Sequence, residues 1–417
     1  MDPISLLHAR PKAWLANSVL APHAGAFATY LTRARYSSQS CGNYVASLAH
    51  FGRWMSQCCL PLSQLDEAAV ELFLDRHLPR CDCPRPVVRT HSALRAACTH
   101  LLKVLRERGV IAKRAGAIGP IAEELDRYDT HLSDARGLSE GTRRGAMRMV
   151  QRLLRYKFAD GPVVFAQLQP DDVRQFIATQ LDLRRTTSNA TALTSALRGY
   201  FSYRTTLGDR VHGLVGVIAA PAHWSLAPLP RALRPFEVER LLSSFTAELP
   251  SPRRGYAMVR CALDLGLRSS EVAQLQLADI DWRAGTVTLR HTKSRREDVL
   301  PLLASTGRAL ADYLRSERPK SSNPAVFVRH LAPLDQPISA HAVRRVIRDA
   351  FARIGLTHGR SHALRHTLAC RLLDEGGSIK EVADVLRHRS LNTSLIYAKL
   401  DHPRLAAVAL PWPGSST

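Results

Sequence analysis

The sequence predicts a mainly α-helical chain with one small antiparallel β-sheet in its C-terminal half. Three observations lead there. Apolar residues recur at helical spacing along most of the 417 residues, as Leu48, Phe51 and Met55 do on one stripe. The N-terminal half repeats itself. Two short β-rich runs, 286–290 and 298–302, flank a polar turn and read as a hairpin.

The repeat sets the domain organisation. Ser37, Ser40, Leu48, Phe51 and Trp54 correspond to Ser139, Thr142, Val150, Leu153 and Tyr156 at an offset of 102. After a one-residue slip, Leu65, Val70 and Phe73 correspond to Leu168, Val173 and Phe176, and Ser92–Arg95 to Ser195–Arg198, at 103. A register shared by three segments marks two copies of one helical unit, expected over 1–112 and 119–210. A Gly-bearing stretch, Gly109 to Gly119, separates them. Residues 211–230 hold Gly213, Gly216, Pro221, Pro228 and Pro230 with few charges, and read as a linker. The third domain, 231–417, opens on Pro235 with acids in the first turn, a helix start. Helices are expected over 257–265 and 269–277.

The formal charge of +22 suits a polyanion, and nucleic acid is the usual one. Fifty of the 58 basic residues are arginines, whose planar forks match phosphate. No run of 18 apolar residues suggests a membrane span, and the first residues lack a signal-peptide pattern. A cytoplasmic, nucleoid-associated protein is therefore expected. The eight cysteines then read as free thiols. Cys81-Asp-Cys83, with Cys98, His77, His91 and His100 nearby, invites a zinc reading. However, Cys-x-Cys followed by fourteen residues and one Cys is no standard ligand spacing, so no metal is expected.

The chemistry concentrates near the C-terminus. His362 and Arg365 are three apart and share a helical face. A helix end is signalled at Glu375-Gly376. His388 and Tyr397 are nine apart and would face opposite ways on one helix at ~100° per residue. They converge only if the chain breaks near Ser390–Asn392, with Thr393 or Ser394 capping a new turn. Two arginines, Arg268 and Arg365, can clamp a phosphodiester that a tyrosine hydroxyl attacks. No phosphate-cradling Gly-x-x-x-x-Gly-Lys loop occurs, and no carboxylates cluster for two-metal chemistry, so no cofactor is expected.

In chain order, Gly266-Leu-Arg-x-x-Glu-Val272, Lys293 in the hairpin turn, His362-x-x-Arg365, and His388 followed by Tyr397 resemble the catalytic domain of the tyrosine recombinases of phage-integrase type, over about residues 230–410. Residues 119–210 resemble the family's SAM-like, core-binding helical domain, and the repeat makes 1–112 a second domain of that type. Arg387 stands where the family usually has glycine. The resemblance implies that Arg268 and Arg365 bind the non-bridging oxygens and that Tyr397 forms a 3′-phosphotyrosyl link. His388 would donate a hydrogen bond to the phosphate, Lys293 would protonate the leaving 5′ oxygen, and His362 is the candidate base. Glu271 would hold an active-site group in place. Arg295, Arg296, Arg95 and Arg198 are expected DNA contacts. The implied partner is double-stranded DNA, bound by a tetramer on paired sites, with or without partner recombinases. The apolar segment 400–412 would dock on a neighbouring subunit. A type IB topoisomerase-like relaxing enzyme and a non-catalytic DNA-binding regulator are the alternatives; an integrase of a mobile element is the leading expectation.

Overall fold

The computed structural model describes residues 3–112, 119–183, 187–219, 232–290, 297–356, 359, 361–388, 394 and 396–397. The chain divides into two compact units, one made of Met1–Leu105 with Leu226–Thr417, the other of Arg106–Ser225. Among the described residues helix dominates, and the strands form one three-stranded antiparallel sheet.

The first segment holds α1 (Ala9–Ala16), α2 (Ala21–Arg33), α3 (Ser38–Gln57), α4 (Glu67–Leu72) and α5 (His91–Glu107). Between α4 and α5, the helix widens into a π-helical turn at Phe73–His77, tightens into a 3-10 turn at Leu78–Arg80, then gives way to an irregular loop. The second unit holds α6 (Pro120–Asp134), α7 (Glu140–Phe158), α8 (Pro170–Leu183), α9 (Thr187–Thr206) and the short α10 (His212–Gly216).

The local structure repeats at the offset of the sequence. Ser37 and Ser139 are the N-cap residues of α3 and α7, and their hydroxyls meet those of Ser40 and Thr142 at 2.9 and 3.0 Å. Leu65 and Leu168 each close a 3-10 turn with φ −78° and ψ 111°. Both lie in the core, as do the pairs Leu48 and Val150, Phe51 and Leu153, Phe73 and Phe176, and Leu94 and Leu197. The pair at the end of the stripe diverges: Trp54 is buried but Tyr156 is 47% exposed.

The C-terminal segment contains α11 (Pro235–Ser243), α12 (Pro252–Asp264), α13 (Ser269–Gln274), β1 (Ile280–Asp281), β2 (Thr286–Leu289), β3 (Asp298–Pro301), α14 (Ala304–Ser316), α15 (Ala340–Arg353), α16 (Ser361–Asp374) and α17 (Ile379–Val385). Strand β2 is central, pairing Val287 with Ile280 on one side and Leu300 on the other. These residues face the core built by α12, whose Ala257, Met258, Cys261 and Ala262 are fully buried, together with Leu310, Tyr313, Phe327, Val343 and Ile347. The hairpin expected at 286–302 is present. Strand β1 extends it, and α13 stops at Gln274, where Gln276 and Asp279 close a 3-10 turn. Among the described residues no helix is long and apolar enough to cross a membrane.

Candidate active site

The site is assembled from the C-terminus of α12, the N-terminus of α13, and helices α16 and α17. The Gly-Leu-Arg corner between α12 and α13 depends on Gly266, whose φ is +59°. A Cβ there would also lie 2.9 Å from Leu386 and 3.0 Å from Leu368, so only glycine fits without rearrangement. The corner turns the Gly266 carbonyl toward Arg365. Arg365 lies on the buried face of α16, 5% exposed, and donates from one Nη to Gly266 O and from the other to Leu386 O. Burial, with Arg268 and Arg387 beside it, pushes its pKa down to about 9.

Arg268 is the N-cap residue of α13. Its backbone N–H and its Nη1 donate to the two oxygens of Glu271 at 2.8 and 2.7 Å. Glu271 is 5% exposed and also accepts from Arg387 Nη2 at 2.8 Å. Burial pushes its carboxyl up, but Arg387 and Arg268 outweigh that and hold it below the usual carboxylate range. One carboxylate thus faces three guanidiniums, and the cluster is a cationic cradle.

Arg387 was visible in the sequence as a departure; its role was not. Helix α17 ends in a Schellman motif, with His388 N–H bonded to Ala383 O and Arg387 N–H to Asp384 O, both at 2.9 Å. Arg387 occupies the left-handed C′ position, φ +54°, where glycine is unstrained. A long side chain there costs about 1–2 kcal/mol of backbone strain. The guanidinium that this position projects forms the buried pair with Glu271.

His388 follows and is half-buried. Its Nδ1 shares a 2.6 Å hydrogen bond with Ser394, whose side chain is fully buried. Burial and then Arg365, Arg268 and Arg387 push the imidazole down to about 4, so it is neutral near pH 7. Tyr397 is 2% exposed and packs against Leu368 and Leu386. Burial pushes its phenol up to about 12, against the opposing pull of Arg365. The hydroxyl lies 2.7 Å from His366 Nδ1.

The structure therefore brings Arg268, Glu271, Arg365, His388 and Tyr397 together, and adds Arg387 and His366. The imidazole against the phenol is His366, one turn beyond His362 on α16; His362, at the start of the helix, is exposed. The spacing of four was the available signal, hidden because the motif ends at Arg365. Lys293, Arg295, Arg296, Thr393 and the tail beyond 400 lie outside the described residues. Arg95 donates through both Nη atoms to Glu71 at 2.6 and 2.8 Å, and Arg198 donates to Ile218 O at 2.7 Å, so both are engaged within the chain.

Residues 231–404 match the model of the phage integrase family, and residues 125–207 that of the phage integrase N-terminal SAM-like domain. The chain is 37% identical over 400 residues to a Sinorhizobium fredii protein named integrase/recombinase y4rA, covering 94% of each. It is 30% identical over 288 residues to the tyrosine recombinase XerC of Pseudomonas putida, covering 68% of this chain and 94% of that one. A solved XerH site-specific recombinase bound to a palindromic difH substrate aligns with TM-score 0.54 at 18% identity, over 83% of this chain and 97% of that one. A lambda integrase dimer bound to a COC′ core site aligns with TM-score 0.51 at 16% identity, over 70% and 99%. At such identities the likeness to these structures is one of fold. With its motifs in order and a full-length relative at this identity, the chain belongs to the phage integrase family of tyrosine recombinases.

Proposed function

We propose that this protein is a site-specific DNA recombinase that cleaves and rejoins duplex DNA through a covalent 3′-phosphotyrosyl intermediate. The observation that carries this reading is the convergence of a tyrosine hydroxyl, a neutral histidine and a cradle of guanidiniums at one buried corner. Arg268 and Arg365 hold the non-bridging oxygens and stabilise the charge that grows there. Tyr397 attacks phosphorus, and His388 donates to a non-bridging oxygen. Lys293 protonates the leaving 5′ oxygen, a task an arginine does poorly at its pKa. The phosphotyrosyl ester keeps the bond energy, so a second 5′ hydroxyl reseals the strand without ATP.

In this reading residues 1–112 and 119–210 are two helical domains that grip DNA, and four subunits assemble on paired sites with the 400–412 tail docked between neighbours. The test is covalent trapping on a nicked suicide substrate. Tyr397→Phe should bind target DNA with near wild-type affinity and give no protein–DNA adduct on a denaturing gel. An adduct of wild-type yield would place the nucleophile elsewhere.

A further inference from the structure

We infer that the N-terminal segment carries a structural zinc site built from His50, His77, Cys81 and Cys83. These residues come from three places. His50 is in the middle of α3 and fully buried. His77 ends the wide turn after α4, and Cys81 and Cys83 follow in the irregular loop. Their ligand atoms, one from each, all lie within 4.8 Å of one another.

The shortest separations approach those of a coordination shell. His50 Nε2 and His77 Nε2 are 3.2 Å apart, Cys81 Sγ is 3.3 Å from His50 Nε2, and Cys83 Sγ is 3.8 Å from His77 Nε2. A tetrahedron with Zn–N about 2.05 Å and Zn–S about 2.3 Å has N–N edges near 3.3 Å, N–S edges near 3.6 Å and S–S edges near 3.8 Å. The tautomer of His50 is set as well. Its Nδ1–H donates to Val88 O at 2.8 Å, which leaves a lone pair on Nε2 facing the other ligands. A backbone carbonyl fixing a ligand imidazole in this way is the usual outer-shell device.

Two thiolates and two imidazoles select zinc among the common divalent metals, and four protein ligands leave no position open for water, which makes the site structural rather than catalytic. Two thiolates would balance the charge of Zn²⁺. The site also gives the loop a reason to hold its shape. Residues 81–90 have no regular structure, and coordination would pin them to α3, where Cys81 and Val88 already meet His50.

Of the residues weighed in the sequence, His77, Cys81 and Cys83 belong to the cluster and Cys98 and His100 do not. Cys98 is buried in the core on α5, and His100 is bonded to the hydroxyls of Tyr30 and Tyr36. The missing ligand is His50, far upstream of the Cys-x-Cys pair.

The experiment is metal analysis of the full chain, expressed with zinc and purified without chelator. One zinc per chain is expected. Cys81→Ser and Cys83→Ser should each lose most of it and melt at lower temperature, whereas His91→Ala, outside the cluster, should keep it. Because a ligand variant that fails to fold would say little, the wild-type chain is also stripped and titrated with Co²⁺. Intense visible bands of tetrahedral cobalt with a thiolate charge-transfer band are expected, and Zn²⁺ should abolish them. A chain without zinc that gives only the weak spectrum of octahedral cobalt would overturn the site. So would zinc retained in full by both cysteine variants.

Discussion

Glu271→Gln tests the charge organisation of the site. The carboxylate accepts three hydrogen bonds: Arg268 Nη1 on Oε1, and both the Arg268 N–H and Arg387 Nη2 on Oε2. A glutamine has one oxygen, so it keeps at most two of them, and its amide N–H₂ must face a guanidinium donor. It also leaves Arg268, Arg365 and Arg387 without their counter-charge. Breaking a buried ion pair from one side costs about 3–5 kcal/mol. For a domain of this size each kcal/mol lowers Tm by about 2–4 °C, so a fall of roughly 6–20 °C is expected by calorimetry. Two further results follow from the same cause. Duplex DNA should raise the Tm of the variant more than that of the wild type, because phosphate replaces the missing negative charge. Acid sensitivity should also weaken. A carboxylate with a depressed folded pKa stabilises fully above its unfolded value of about 4.5 and loses that contribution as pH falls through the folded one. The variant lacks this group, so that part of its pH dependence disappears. A variant that melts with the wild type, and gains no more from DNA, would refute the argument.

Replacing Arg387 separates backbone strain from ion pairing. Arg387→Gly and Arg387→Ala both lose the pair with Glu271, but only alanine keeps a Cβ at φ +54°. The alanine variant should therefore be less stable than the glycine variant by about 1 kcal/mol in urea unfolding, and equal stabilities would contradict the left-handed helix end. Gly266→Ala places a Cβ in a crowded left-handed corner. It should cost roughly 1–3 kcal/mol and, by displacing the carbonyl that holds Arg365, depress covalent cleavage more than DNA binding. Unchanged cleavage with lowered stability would detach the corner from the positioning of Arg365.

Much of this was legible from local pattern. The hairpin followed from two β-rich runs around a polar turn, and the helical repeat from a shared register of capping and core positions. What escaped detection depended on long-range geometry or on short elements. Two-residue β1 is too brief to show alternation. Helix α13 ends three residues early because Gln276 and Asp279 satisfy each other in a 3-10 turn, a choice between two acceptable local structures. Arg387 was noticed for its backbone position, yet the direction of its guanidinium depends on Glu271, more than a hundred residues away. His50 sits on a helical stripe where a buried histidine looks like any core residue; only the fold brings it to the cysteines.

The proton on Tyr397 poses the sharpest question for the site. A phenol ordinarily titrates near ~10 and must lose its proton to attack. Arg365 favours phenolate, but burial outweighs it and pushes the group up to about 12. A DNA phosphate entering the cradle brings negative charge and would not help. The field alone therefore leaves the nucleophile protonated, and an acceptor within reach is required. His366 Nδ1, at 2.7 Å, is the group in reach and can accept when its ring proton sits on Nε2; burial lowers its pKa, which keeps it neutral near pH 7. His362 was the candidate read from the motif. The two can be told apart by single-turnover cleavage of a suicide substrate across pH. His366→Gln should slow adduct formation by about 10²–10⁴-fold near neutrality. The loss should shrink at high pH, where hydroxide takes the proton instead, and DNA affinity should be unchanged. His362→Gln should show no such recovery with pH. If His362→Gln gives the loss that alkali rescues and His366→Gln does not, the hydrogen bond between His366 and Tyr397 only positions the ring, and proton transfer belongs to the histidine one turn earlier.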